Sequence, residues 1–169
     1  MKKSDMIKSI SAFAGMTPLE LDAIAELLER RRYAQGETIF SEGEAGTEMF
    51  FVSSGKVGFF TLVSDGTRRE SRPLGPDCYF GEMSLIAGEA RSKTAYALED
   101  TSVFILSGLG FHGMVWDTPM LGVKFLKAMA ATRIEQLSKA SGFLDDMVRW
   151  GETARRRAVT DDLSGLFNR

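Results

Sequence analysis

Between Tyr79 and Ala95 the chain reads Tyr-Phe-Gly-Glu-Met-Ser-Leu-Ile-Ala-Gly-Glu-Ala-Arg-Ser-Lys-Thr-Ala, its densest grouping of residue types that recognise an oxyanion. Arg91 is the one arginine of this segment, and a guanidinium can donate two parallel hydrogen bonds to a pair of phosphate oxygens. Gly81 carries no Cβ, so backbone and ligand can approach closely there. Backbone amides at the start of the short turn Met83-Ser84-Leu85 add the partial positive charge of a helix N-terminus. Glu82 stands nine residues before Arg91 across that short helix. Each residue also has a plainer reading: Arg91 as a surface arginine paired with Glu89, and Glu82 as a solvated turn carboxylate. Lys93 either strengthens anion attraction or points to water.

Something must hold these residues in place, and composition limits what it is. The chain has 169 residues, 21 basic and 23 acidic, a formal charge of −2, and 44% apolar residues. Those values fit one soluble globular domain with a short appendage and give no broad nucleic-acid-binding face. One cysteine, Cys78, excludes an internal disulfide, and one histidine, His112, excludes the histidine cluster of a metalloenzyme. His112 lies in a Gly-rich stretch and is expected to be structural or solvent-facing. No metal site and no cofactor are expected, and a reducing, cytoplasmic setting follows. Lys2 and Lys3 resemble the start of a signal peptide, but Asp5 and Lys8 interrupt the apolar core it would need. The longest wholly apolar runs, such as Met49-Phe50-Phe51-Val52, are far too short to span a membrane.

Three textures follow one another along the chain. Residues 1–32 read as a helical segment, with Thr17-Pro18-Leu19-Glu20 as N-cap, first-turn proline and capping glutamate. Leu21, Ile24, Ala25, Leu27 and Leu28 form its apolar stripe, and Glu29-Arg30-Arg31-Arg32 suits a helix C-terminus. Residues 33–106 are short β-prone runs punctuated by glycines, which favours an antiparallel sandwich or jelly roll. Two consecutive hairpins are expected, one turning at Ser53-Ser54-Gly55 and one at Asp65-Gly66, where both residues tolerate positive φ. Beyond Gly113, Val123, Leu126, Ala130, Arg133, Leu137, Ala140, Leu144 and Met147 keep a spacing of three and four. That pattern fits either a helix lying on its own β-domain or a parallel dimer seam, with loosening at Gly142 and Gly151. The fold class is therefore mainly β with flanking helices: an antiparallel jelly roll with N-terminal helices and a long C-terminal helix.

The 79–95 segment resembles the phosphate-binding cassette of cyclic nucleotide-binding domains, the family of the catabolite activator protein and of the regulatory subunits of cyclic-AMP-dependent kinase. Gly36-Glu37-Thr38-Ile39-Phe40-Ser41-Glu42-Gly43-Glu44 and Phe51-Val52-Ser53-Ser54-Gly55-Lys56-Val57 resemble that family's early strands and turns. The resemblance covers about residues 15–140 and implies a nucleotide site of Phe80, Gly81, Glu82, Met83, Ser84, Arg91 and Ser92. It implies that Arg91 holds the cyclic phosphate and that Glu82 accepts from the ribose 2′-hydroxyl. It also implies that Ser92 touches a phosphate oxygen or the base. Ala90 replaces a common proline, and Lys93 adds a charge where a small residue is usual. The C-terminal helix is implied to cap the pocket, with Arg133, Ile134, Leu137 and Ser138 as candidate lid residues.

A second resemblance stands at the end. Residues 158–169, Ala-Val-Thr-Asp-Asp-Leu-Ser-Gly-Leu-Phe-Asn-Arg, are similar to the opening of a GGDEF diguanylate cyclase domain, with Ser164 in place of threonine. The catalytic residues of such a domain are not in this sequence, so the chain is expected to be no enzyme itself. The expected organisation is a helical segment (1–32), a jelly roll (33–106), a lid or dimerisation helix and linker (107–157), and a truncated GGDEF start (158–169). The expected function is a sensor that binds cyclic AMP or cyclic GMP, dimerises through its C-terminal helix, and contacts neither nucleic acid nor membrane. A ligand-free interaction module, or the sensor of a catabolite-activator-type transcription regulator, are the alternatives.

Overall fold

The computed structural model describes residues 3–10 and 13–132, together with the single positions 134, 137, 138 and 150. The chain divides into two compact units, Met1–Leu126 and Lys127–Arg169.

In the first unit, α1 (Lys3–Ser9) precedes α2 (Pro18–Glu26). The capping box forms as its sequence predicts. The Thr17 amide donates to Glu20 Oε2 (2.8 Å), and the Glu20 amide donates to Thr17 Oγ1 (3.4 Å). Each bond satisfies a backbone donor that the helix cannot. Thr17→Ala is expected to cost about 1 kcal/mol, read as a lower midpoint of urea unfolding with an unchanged slope.

Helical structure stops at Glu26, short of the expected boundary at residue 32. Leu28–Tyr33 is instead strand β1, paired with the last strand from Leu28↔Leu106 to Tyr33↔Thr101. Its two buried residues, Leu28 and Tyr33, have opposite parity and so lie on opposite faces, while the four residues between them are exposed. No period-two stripe is left for a reader of the sequence. The arginines belong to a sheet edge, where charge discourages pairing with another chain.

The remaining strands are β2 (Thr38–Phe40), β3 (Glu48–Ser54), β4 (Val57–Leu62), β5 (Arg68–Leu74), β6 (Tyr79–Phe80), β7 (Thr94–Ala97) and β8 (Thr101–Ser107). They form two antiparallel four-stranded sheets in the orders β1-β8-β3-β6 and β2-β7-β4-β5. The jelly-roll class expected from the sequence is what the chain adopts. One of the two expected hairpins is present: β4 and β5 pair across Asp65-Gly66, where Gly66 has φ +81° and Asp65 stays out of the left-handed region. The other is absent. β3 pairs with β6 and β8, and β4 with β5 and β7, so the chain changes sheets at Gly55. The cause is the β7–β8 turn: the Lys56 amide donates to Thr101 Oγ1, and a Cβ on Gly55 (φ +84°) would lie 2.5 Å from that oxygen.

Tyr33, Phe50, Val52, Val57, Phe59, Phe80, Ala95, Ala97, Val103 and Ile105 form the core between the sheets. The other face of the first sheet is also covered. Phe51 packs on Phe13, which stacks on Phe125 at 5.5 Å, and Phe111 meets Phe125 at 6.0 Å. Burial on both faces explains why Met49–Val52 and Val103–Leu106 are unbroken apolar runs.

Helix α4 (Gly108–Asp117) begins earlier than the helical period suggested, at a Ser107 cap whose Oγ accepts from the Gly110 amide (3.1 Å). Thr118 ends it, and helical backbone resumes at residue 119 as the long C-terminal helix. A Cβ on Gly122 would stand 3.0 Å from Val115, so this glycine allows the two helices to approach. Of the spaced apolar series, Val123 and Leu137 are exposed, at 58% and 70%. Arg133, Ala140, Leu144, Met147 and the glycines at 142 and 151 lie outside the described residues, as does 158–169. Among the described residues no helix is long and apolar enough to cross a membrane, and no group of acidic, His and Cys side chains could hold a metal.

Candidate functional site

Helix α3 (Glu82–Ala87) starts at Gly81 and ends at Gly88, both left-handed at φ +80° and +69°. The Gly88 amide donates to Ser84 O (3.1 Å), which closes the helix. Two glycines thus bound a single short turn and fix where Glu82 and Ser84 point. Both are buried, at 4% exposure each, so Glu82 is not a solvated turn carboxylate.

Arg91 is buried as well, at 5%. Its Nη1 donates to Gly81 O (2.9 Å) and its Nη2 to Glu48 O (2.9 Å). The guanidinium lies over the Phe40 ring at 4.2 Å and nearer the Phe50 ring than 6 Å, at 5.5 Å. The surface pairing with Glu89 is therefore not formed; carbonyls and aromatic faces are its partners. Burial holds the group below the ordinary arginine range, while the charges of Glu48, Glu44 and Glu82 pull the other way. The side chain remains a cation. Each terminal nitrogen spends one hydrogen on a carbonyl, which leaves the Nε–H and one further hydrogen on each for an anion.

The backbone of Arg91 is anchored too. Its amide donates to Glu44 O, and its carbonyl accepts from the Gly43 amide, both at 2.8 Å. The turn from Gly43 to Glu48 therefore grips the residue at main chain and side chain. This turn lies more than 40 residues upstream of Arg91 and carries no charged donor that would mark it as part of the site. Gly46 is its tightest point: a Cβ there would lie 2.4 Å from Arg91 Cζ and Nε and 2.8 Å from Ser84 Cβ. Gly81 serves Arg91 similarly, since a Cβ would meet Nη1 at 2.7 Å. The local signal was Gly43-Glu-Ala-Gly46, two glycines with no obvious turn type.

Of the expected site residues, Gly81, Glu82, Ser84 and Arg91 come together. Phe80 is core, stacked on Phe50 at 5.0 Å. Met83 is half exposed, and Ser92 is exposed. In the second unit, Leu137 and Ser138 are helical and exposed, and Arg133 lies outside the described residues. A cleft of about 720 Å³ opens beside α3, walled by Gly46, Glu48, Ser84, Ala90, Ser107 and the exposed His112. Arg91 is not in its wall, because the guanidinium faces the aromatic rings between the sheets.

Residues 30–115 match the family profile described as "Cyclic nucleotide-binding domain". The chain belongs to that family. Among its relatives, the cyclic AMP receptor protein of Thermus thermophilus is 35% identical over 130 residues, covering 77% of this chain and 60% of the relative. A CRP-like cAMP-activated global transcriptional regulator of Mycobacterium tuberculosis is 23% identical over 144 residues, covering 85% and 62%. The crystal structure of the Thermus thermophilus catabolite activator protein superposes with a TM-score of 0.67 at 34% identity, covering 79% of this chain and 62% of that one. The chain thus spans about 60% of the length of these relatives. It is a cyclic nucleotide-binding domain with the β-roll fold.

Proposed function

We propose that this domain binds a cyclic nucleoside monophosphate between its two sheets and passes occupancy to an output domain through the C-terminal helix. One observation carries the reading: a buried guanidinium, Arg91, held by two backbone carbonyls at the start of α3 and β3. A cyclic phosphate is a monoanion that can take the remaining guanidinium hydrogens. Glu82, buried one residue beyond Gly81, is the acceptor for the ribose 2′-hydroxyl. The ligand is cyclic AMP or cyclic GMP; two relatives are a cyclic AMP receptor protein and a cAMP-activated regulator. Ser92, Arg133, Leu137 and Ser138 remain candidates for contacts made once ligand is bound.

The output is a diguanylate cyclase on this reading, because residues 158–169 resemble the opening of a GGDEF domain. Coupling requires that the nucleotide bind one arrangement of the C-terminal helix more tightly than another, since equal affinity shifts nothing. The exposed Val123 and Leu137 fit a seam with a second copy. Leu137→Asp is expected to give a monomer by sedimentation, and an unchanged mass would remove the dimer. Isothermal titration with cyclic AMP, cyclic GMP and cyclic di-GMP tests the binding step. Heat with a cyclic mononucleotide supports it, and none with any ligand overturns it in favour of an interaction module.

A further inference from the structure

A second cation shares the space between the sheets. The Lys93 ammonium donates to Ser71 Oγ at 2.7 Å, and both residues are half-buried. Ser71 stands directly opposite Phe59 in the β4–β5 register, and Phe59 belongs to the core between the sheets. Directly opposed residues share a face, so the Ser71 hydroxyl and the ammonium on it both look into the roll. The Arg91 guanidinium lies over Phe50, a residue of the same core, and so looks into the roll too.

Lys93 reaches Ser71 from just before β7, passing across β4, which lies between β7 and β5. Among the described residues its partner is a neutral hydroxyl, and no carboxylate lies within ion-pair range of it. A half-buried cation with only a hydroxyl partner favours an additional acceptor. A cyclic phosphate already engaged by Arg91 gives no reason for this second charge.

We infer that Lys93, propped by Ser71, is a specificity residue that donates to an oxygen acceptor of the ligand other than the phosphate oxygens taken by Arg91. The inference rests on the nucleotide-binding reading above. An ammonium has three donors and no acceptor. It therefore favours guanine, which presents a carbonyl oxygen where adenine carries an amino group. A second phosphate offers the same chemistry, as an oxygen that accepts.

The test titrates the whole chain and its Lys93→Met variant with cyclic AMP, cyclic GMP and cyclic di-AMP. Methionine keeps the apolar stem and removes the donor, and a thermal melt checks that the variant folds. The wild-type protein is expected to prefer cyclic GMP or cyclic di-AMP over cyclic AMP. Lys93→Met should weaken that preferred ligand about tenfold, the size of one charge-assisted hydrogen bond, and cyclic AMP by less than about twofold. Loss confined to cyclic GMP assigns the acceptor to the base carbonyl, and loss confined to cyclic di-AMP assigns it to a second phosphate. Equal losses on all three ligands, or no loss on any, overturn the specificity role while leaving nucleotide binding standing. Absence of binding by the wild type removes both.

Discussion

Replacing Arg91 by alanine is expected to remove cyclic-nucleotide binding, with an affinity loss of at least on the order of a hundredfold, about 2.7 kcal/mol. The magnitude follows from what the guanidinium does. Two charge-assisted hydrogen bonds to a phosphate are worth about 1.5–3 kcal/mol each, and the cation sits in a water-poor site over Phe40 and Phe50. The variant should also lose stability. Gly81 O and Glu48 O now accept from Nη1 and Nη2 at 2.9 Å, and a buried acceptor left without a donor costs about 1–3 kcal/mol. Arg91→Lys separates the two effects. A lysine restores charge but cannot span two carbonyls and a phosphate with one planar fork. Its binding is expected to stay closer to alanine than to wild type. Titration and urea unfolding on the same samples check both, and wild-type affinity in Arg91→Ala would place the anion elsewhere.

That expectation also shows which parts of the site were legible. Gly81, Glu82 and Arg91 stand within one short stretch, and local chemistry is enough to mark them. Thr17 and Glu20 likewise announce their capping box within four consecutive residues. What stayed hidden depended on partners distant in the chain. Leu28–Tyr33 is a strand because β8 offers it an open edge, while its own residues carry no alternating pattern. Ser53-Ser54-Gly55 carries the composition of a hairpin turn, yet Thr101 takes the Lys56 amide and directs the next strand into the other sheet. Long-range hydrogen bonds of this kind leave no mark on periodicity. The helix at Gly108 was obscured differently, since three glycines in its first six positions argue against a helix until close packing explains them. A Cβ on Gly108 would lie 3.0 Å from Thr47 O, and one on Gly110 would lie 3.3 Å from Leu106.

Gly46→Ala extends that reasoning to a residue with no chemistry of its own. Gly46 is not in the left-handed region, so an added methyl brings a steric cost and no backbone strain. The new carbon would stand 2.4 Å from Arg91 Cζ and Nε, about 1 Å short of ordinary contact at 3.4 Å. A long side chain could swing aside cheaply if its end were free. Here it is not free: the end is fixed by Gly81 O and Glu48 O, and the backbone by Gly43 and Glu44. Moving the guanidinium away from the methyl breaks at least one of those bonds. Moving the turn instead presses it against Ser84, whose Cβ would be 2.8 Å from the methyl. Either response should cost about 1–3 kcal/mol of stability, as overpacking does, and displace the cation from the anion's position. Nucleotide affinity is expected to fall by on the order of a hundredfold, close to the Arg91→Ala value. Gly75→Ala, with open space around it, is the matched control and should change neither quantity. In an Arg91→Ala background the Gly46→Ala cost should shrink, because the main obstacle to the methyl is gone. A double-mutant cycle reads that coupling. Strict additivity, or wild-type binding in Gly46→Ala, would show that the 43–48 turn does not hold the arginine in place.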